Sequence, residues 1–278
     1  MNNAYYNGIY SRIEDVRIPL SDRSVYFGDG VYDAMIGEGG KVYLEEEHLT
    51  RLYFNAEAIG LAVPKTKEEL SEIIREVIAE CGFPYFIYVQ LSRRSATRKH
   101  ACTDCEMANL LVTATPFDLP SPEKKLSLTF ADDVRYKICN VKTLNLLPAV
   151  LASTEAERMG YDETVFVKDG FITECAHSNI SIIKNGTLIT HPNSPFILPG
   201  ITKAWLLKRA KKLGIPVSER PFTKEELLSS NSVLITSTSK LVLEAKTIDG
   251  YALECGKNNA AITLIQAAFS DYWNYVEN

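Results

Sequence analysis

Apolar positions along the chain fall into two rhythms. Spacing of three and four residues marks helices. Leu49, Leu52, Tyr53, Ala56 and Ile59 follow it from His48 onward, and Leu70, Ile73, Ile74, Val77 and Ile78 follow it behind Thr66-Lys-Glu-Glu69. The latter motif reads as a capping box, with Gly82 and Pro84 as the stop. The same spacing predicts helices over 148–159, 201–213 and 260–275, and a short one over 224–228 behind a second capping box at Thr223-Lys-Glu-Glu226. Alternating or short continuous apolar runs predict strands over 31–36, 85–93, 109–115, 126–130, 164–167, 171–174, 179–183, 187–190 and 233–235. Residues 7–19 read as extended and 22–30 as turn-rich, and the glycine turn at 37–40 closes a hairpin. Asp169-Gly170 and Asn185-Gly186 are further tight turns, which imply antiparallel pairing.

Residues 116–122 hold three prolines and suit an extended linker. The expected organisation is a small N-terminal domain over 1–117, a linker over 118–122 and a larger domain over 123–278. So much hairpin signal among helices argues for an α+β class and against a doubly wound parallel sheet.

With 46% hydrophobic residues, 23% charged and a net charge of −5, the chain has an ordinary globular composition. A mildly acidic chain has no general attraction for nucleic acid or an anionic membrane, so any anion it binds must be held locally. No signal peptide or membrane span is expected. Six scattered cysteines suggest reduced thiols in the cytoplasm. His100-Ala-Cys-Thr-Asp-Cys105 has ligand types for half a zinc site but no second pair, so two loop cysteines beside a histidine is the preferred reading and no metal is expected.

Three features suit a phosphate. Gly200-Ile-Thr202 opens a helix, whose first N–H groups and dipole favour an anion. Thr236-Ser-Thr-Ser239 offers hydroxyls after a strand, and Arg51 offers a planar fork. Singly each is weak, since such features are usually only a turn, a solvated loop or a surface arginine. Lys142 stands among apolar neighbours in Cys139-Asn-Val-Lys-Thr-Leu-Asn-Leu-Leu-Pro148. Desolvation lowers an amine's pKa and makes it a candidate Schiff-base former; a snorkelling lysine at a strand edge is the alternative.

Taken in order, these motifs resemble the signature of class IV (fold type IV) pyridoxal-phosphate aminotransferases. The likeness runs through Asp22-Arg-Ser-Val-Tyr-Phe-Gly-Asp-Gly-Val-Tyr32, His48-Leu-Thr-Arg51, Val-Lys142-Thr-Leu-Asn-Leu-Leu, Thr173-Glu-Cys-Ala-His-Ser-Asn179, Leu198-Pro-Gly-Ile-Thr202 and Thr236-Ser-Thr238. The resemblance implies a small α/β domain and a larger domain with a mixed, barrel-like sheet. It implies that Lys142 bonds pyridoxal 5′-phosphate covalently and shuttles the substrate Cα proton. Glu174 would pair with the pyridine nitrogen and Leu198 would pack on the ring. Arg51, Ile201, Thr202, Ser237 and Thr238 would hold the phosphate.

Within the family, Arg98 and His100 resemble the D-amino-acid aminotransferases, in which such a pair and a tyrosine matching Tyr32 grip the substrate carboxylate. A solvated basic loop is the plain alternative. The resemblance further implies a homodimer in which the loop bearing Arg98 and His100 reaches the partner's active site. The expected reaction is transfer from a D-amino acid such as D-alanine to a 2-oxo acid such as 2-oxoglutarate. Branched-chain L-amino-acid aminotransferase and aminodeoxychorismate lyase are same-fold alternatives, and a non-catalytic cofactor-binding protein is a third. Cys175-Ala-His177 and Pro199 depart from the family's usual residues and bear on the side-chain pocket.

Overall fold

The computed structural model describes residues 2–103 and 107–277. They divide into two compact units. The first holds the described residues up to Asp118, together with Val141–Asn145 and those from Asn274; the second holds Leu119–Asn140 and Leu146–Trp273. The first long run thus ends inside the proline-bearing stretch. Lys142, expected from its position in the chain to lie in the second domain, belongs with the first unit. Its segment runs beside an N-terminal strand: Tyr32 N donates to Lys142 O at 3.0 Å, Leu144 N donates to Gly30 O at 3.0 Å, and Val31 bridges Thr143. Pairing of so short a piece with a distant strand leaves no periodic trace in sequence.

The first unit contains β1 (Ala4–Tyr6), β2 (Ile9–Ser11), α1 (Arg23–Phe27), β3 (Gly30–Glu38), β4 (Lys41–Val42), α2 (Glu45–Ala58), α3 (Lys67–Ile78), β5 (Tyr85–Arg93) and β6 (Ala108–Pro116). The strands make one antiparallel sheet in the order β2-β1-β6-β5-β3-β4. Tyr85, Ile87, Val89 and Leu91 take the inward positions of β5 and share a core with Leu52 of α2 and Leu70, Ile74 and Val77 of α3. The capping box of α3 forms in both directions, between Thr66 and Glu69. Residues 7–19 are not continuously extended, since Asn7 and Gly8 both have positive φ and fold β1 onto β2. Residues 22–30 hold α1, capped by the Asp22 side chain on Ser24 N and closed by a left-handed Gly28. Both cap residues are visible in the sequence, but five residues are too few to display a helical stripe.

Inside this unit β3 carries a fully buried carboxylate, Asp33. Arg51 of α2 grips it side-on, Nε to Oδ2 and Nη2 to Oδ1, each at 2.8 Å. His48, one turn earlier, places Nδ1 2.8 Å from Oδ1. Burial alone would raise the Asp33 carboxyl; the Arg51 guanidinium and then the His48 contact hold it well below the usual carboxylate range. Burial lowers His48, so the imidazole is neutral and its Nδ1–H donates to Asp33.

The second unit contains β7 (Lys125–Asp132), α4 (Leu147–Arg158), β8 (Glu163–Lys168), β9 (Phe171–Cys175), β10 (Asn179–Lys184), β11 (Thr187–Thr190), α5 (Ile201–Lys212), β12 (Val217–Glu219), α6 (Lys224–Leu228), β13 (Ser232–Ser237), β14 (Leu241–Ile248), β15 (Tyr251–Ala252) and α7 (Asn259–Glu277) as far as Trp273. The strand order is β12-β11-β10-β13-β14-β7-β8-β9, with β15 on β14, curled into a half-barrel. It is a mixed sheet. The pairs β11/β12, β14/β7 and β7/β8 are parallel, beside the antiparallel hairpins that the tight turns imply. Central β14 escapes sequence reading because Glu244 interrupts its apolar run. That carboxylate is fully buried and accepts from Lys125 Nζ, Ser232 Oγ and Gly256 N.

Among the described residues no helix is long and apolar enough to cross a membrane, and no group of three or more His, Cys, Asp or Glu side chains is placed to hold a metal ion. Cys105 of the considered half-zinc motif lies outside the described residues. Cys81, Cys139, Cys175 and Cys255 are free, whereas Cys102 is disulfide-bonded, against the expectation of reduced thiols. A compartment argument averages over all thiols and is blind to local geometry.

Replacing Asp33 by Asn leaves Arg51 buried without its carboxylate and is expected to cost about 3–5 kcal/mol at pH 7 in urea unfolding. Because the folded pKa is depressed, this contribution is complete above the unfolded carboxylate value of about 4 and is lost as pH falls through the lower folded value. The gap between wild type and Asp33→Asn therefore narrows on acidification below about pH 4. A gap of constant size down to pH 3 contradicts the assignment.

Candidate functional site

The site residues expected from the sequence fall into two sets, one in each unit. In the first unit Lys142 Nζ lies 4.2 Å from the centroid of the Tyr32 ring, and that ring lies 5.4 Å from Tyr88. The lysine reaches this place because β3 begins with a glycine: a Cβ on Gly30 would meet Leu91 O at 2.4 Å and Leu144 Cδ1 at 2.9 Å. Arg51 is oriented by Asp33, which the sequence reading did not single out. The available signal was a charged residue in the middle of the apolar run of β3, a position that demands a buried partner.

Arg98 and His100 stand in the exposed loop after β5. The structure brings them together on one ring, with Arg98 Cζ 5.3 Å from the Phe27 centroid and the His100 ring also at 5.3 Å. Among the described residues no hydrogen bond, ion pair or ring contact joins either of them to Tyr32.

The second unit gathers Glu174, Leu198, Ile201, Thr202, Ser237 and Thr238 at the ends of β9, β13 and the start of α5. Glu174 Oε1 accepts from Arg135 Nη1 at 2.5 Å, and Oε2 accepts from Asn179 Nδ2 at 2.8 Å and Leu198 N at 3.0 Å. Arg135 is itself clamped by Asp133 through Nε and Nη2, donates to Phe196 O and lies over the Phe166 ring. Burial opposes its charge, yet the two carboxylates keep it firmly protonated. Asn179 ties the group together, since Nδ2 also donates to Leu198 O at 3.0 Å while Oδ1 lies where a Cβ on Gly200 would sit, 1.9 Å from that position. Arg135, Asp133 and Asn179 were all missed as functional residues. Arg135 and Asp133 sit in a stretch with no periodicity, although an Asp-x-Arg pair is a hint of mutual bracing.

Gly200 caps α5 without any side-chain contribution, so the N–H groups of Ile201 and Thr202 have no intrahelical partner. Thr236 lies opposite Asn179 in the β10/β13 register, and its buried Oγ1 has no hydrogen-bond partner among the described residues; neither does Ser181 Oγ, two residues further along the same face. Ser237 Oγ accepts from Lys240 N at 3.2 Å and lies 3.4 Å from Ser239 Oγ. An uncapped helix start, a glycine that cannot be larger and an orphaned hydroxyl beside further hydroxyls fit the phosphate of a cofactor.

His177, which departs from the usual residue, belongs to a compact relay. Its Nδ1 lies 3.1 Å from Glu163 Oε1 and its Nε2 2.7 Å from Lys240 Nζ. Glu163 is buried and also accepts from Ser178 Oγ at 2.8 Å. The substitution thus fastens the β9–β10 turn to the β13–β14 turn. Lys203 Nζ, just beyond Thr202, donates to His191 O and Asn193 Oδ1, and burial pushes its pKa down to about 8.

Residues 30–248 match the family model for amino-transferase class IV. The chain is 36% identical over 250 residues to a D-alanine aminotransferase of Listeria monocytogenes, covering 88% of this chain and 86% of that protein. It is 33% identical over 276 residues to one from Staphylococcus epidermidis, covering 98% of each. A branched-chain aminotransferase from Thermoproteus uzoniensis, solved with norvaline, superposes with a TM-score of 0.87 at 25% identity, covering 99% of this chain and 98% of that one. The chain therefore belongs to the class IV aminotransferases, and its cofactor is pyridoxal 5′-phosphate.

Proposed function

We propose that this aminotransferase moves the amino group of a D-amino acid, such as D-alanine, to a 2-oxo acid, such as 2-oxoglutarate, in two half-reactions. The observation that carries the reading is the pairing of Arg98 with His100 on the Phe27 ring. A branched-chain enzyme has nearly the same backbone, so the fold does not decide between substrates. A carboxylate grip does. The identity to D-alanine aminotransferases over most of the chain supports the same choice.

The bound cofactor supplies a ring that accepts the electron pair left when the substrate Cα loses its proton. In this reading Lys142 is its covalent anchor, and the Nζ carries the Cα proton. Glu174, braced by Arg135 and Asn179, faces the ring nitrogen as a carboxylate. Leu198 packs against the ring. Arg51, the Ile201 and Thr202 backbone with the Thr202 hydroxyl, and Ser237 with Thr238 hold the phosphate. Tyr32, Arg98 and His100 orient the substrate carboxylate.

We further infer a homodimer in which the loop carrying Arg98 and His100 completes the partner's site. The second unit supports it with an unusual face. Leu147, Val150 and Leu151 follow helical spacing along α4 and are exposed by 52–66%, while Val134, Tyr136 and Ile138 are exposed by 50–73%. Apolar surface of this kind marks an association site.

Two outcomes test these readings. Stoichiometric D-alanine added to the holoenzyme is expected to bleach the visible cofactor band and yield pyruvate, while L-leucine leaves the band in place; bleaching by L-leucine alone overturns the D-specific reading. For the dimer, Leu151→Asp places a charge in the apolar face and is expected to give a monomer by sedimentation, with activity reduced on the order of 10²-fold or more because the carboxylate grip is no longer shared. A fully active monomer contradicts the shared site.

A further inference from the structure

Among the described residues 94–103 of the loop that carries Arg98 and His100 there is no helix or strand, yet a buried arginine outside the expected site residues is fastened to its backbone. Arg23 opens α1 and is only 5% exposed. Its Nη1 donates to Lys99 O at 2.5 Å, its Nη2 to His100 O at 2.9 Å and its Nε to Asp29 Oδ2 at 2.8 Å. Its guanidinium also lies 4.7 Å from the Phe27 centroid. Phe27 is therefore shared by Arg23, Arg98 and His100, and Tyr26 adds a second ring 5.8 Å from Arg98 Cζ.

The anchor is rigid on its other side. Asp22, the cap of α1, accepts from Ser92 Oγ at 2.8 Å and Asn109 Nδ2 at 2.7 Å, which pins the helix to β5 and β6. Asp29 accepts from Arg93 Nε at 3.1 Å, and Arg93 N donates to Asp29 O at 2.9 Å. A continuous set of bonds thus runs from the sheet through Asp29 and Arg23 to the carbonyls of Lys99 and His100.

Charge is distributed unevenly along this set. Asp29 neutralises Arg23 and Arg93 in part. The Arg98 guanidinium has ring contacts but no carboxylate and no hydrogen-bond acceptor among the described residues. Stacking occupies the face of a guanidinium and leaves its N–H edge for an anion.

We propose that Arg23 is a positioning residue for substrate carboxylate recognition: by fastening the Lys99 and His100 carbonyls to α1 against the ring shared with Arg98, it sets the geometry in which Arg98 and His100 receive an α-carboxylate. The inference rests on the reading of Arg98 and His100 as the carboxylate grip. Donor and acceptor both present an α-carboxylate, so both depend on it. The grip is made in the ground state and the transition state alike, so its loss acts on KM rather than kcat.

Steady-state kinetics of the holoenzyme with D-alanine and 2-oxoglutarate tests the proposal in Arg23→Gln, Arg23→Lys, Arg98→Gln and the Arg23→Gln/Arg98→Gln double variant. Arg23→Gln is expected to raise KM for both substrates about 10-fold or more with kcat within about 2-fold. Arg23→Lys, which keeps the charge but not the fork, falls between. In the Arg98→Gln background the Arg23 change adds less than about 2-fold, because the two act through one interaction. The proposal is overturned if Arg23→Gln leaves both KM values unchanged while Arg98→Gln raises them, if its effect multiplies in full with that of Arg98→Gln, or if only kcat falls. An unchanged KM in Arg98→Gln itself refutes the grip reading, and the proposal with it. Should Arg23→Gln not fold, Arg23→Lys, which keeps the buried charge and loses the fork, carries the test: a rise in KM for both substrates is expected, and unchanged KM values overturn the proposal.

Discussion

Glu174 has both carboxylate oxygens engaged, one with Arg135 and the other with Asn179 and the Leu198 amide. Buried carboxylates persist only where such partners replace lost water. Here the partners also fix a direction. Arg135 is held by Asp133, Asp133 accepts from Thr173 Oγ1 at 2.7 Å, and Asn179 fills the space that makes Gly200 obligatory. Glu174, proposed to face the ring nitrogen, and the helix start proposed to hold the phosphate are consequently braced by the same amide. A change at Asn179 disturbs Glu174 and the start of α5 together.

A similar logic operates in the first unit with different parts. Asp33 is a buried anion whose purpose is to orient a cation, Arg51, while neutral His48 supplies a further hydrogen bond without adding charge. In each unit a residue assigned to the cofactor is held by a largely buried group of opposite charge, so the geometry is set before any ligand arrives. Such preorganisation is what electrostatic catalysis requires, because no protein dipole has to turn during the reaction. The loop bearing Arg98 and His100 follows the same pattern on the surface, with Arg23 bonded to its carbonyls and Phe27 against the Arg98 guanidinium.

Legibility in the sequence tracked the length and regularity of the pattern. The stripe of α3, the capping boxes at Thr66 and Thr223, and strands β5 and β6 could be read directly, because each repeats its signal over many residues. Elements β14 and α1 could not: Glu244 broke the apolar run of the first, and the second is too short to show a face. Ordered motifs shared with a family pointed to Lys142, Glu174 and the residues proposed to hold the phosphate, which single-residue reasoning had left ambiguous. The same motifs were silent about Arg135, Asp33 and Arg23. These three touch other side chains or loop carbonyls far away in sequence, and such partners become visible only once the chain is folded.

The claim on which the rest hangs is that Glu174 keeps the ring nitrogen of the cofactor protonated. It is tested most directly by loading the enzyme with cofactor labelled with ¹⁵N in the ring and following that nitrogen's chemical shift from pH 6 to 9. The account predicts a pyridinium shift that stays constant across this range in the wild type and moves to the neutral pyridine position in Glu174→Gln. A neutral pyridine shift in the wild-type enzyme at pH 7 contradicts it.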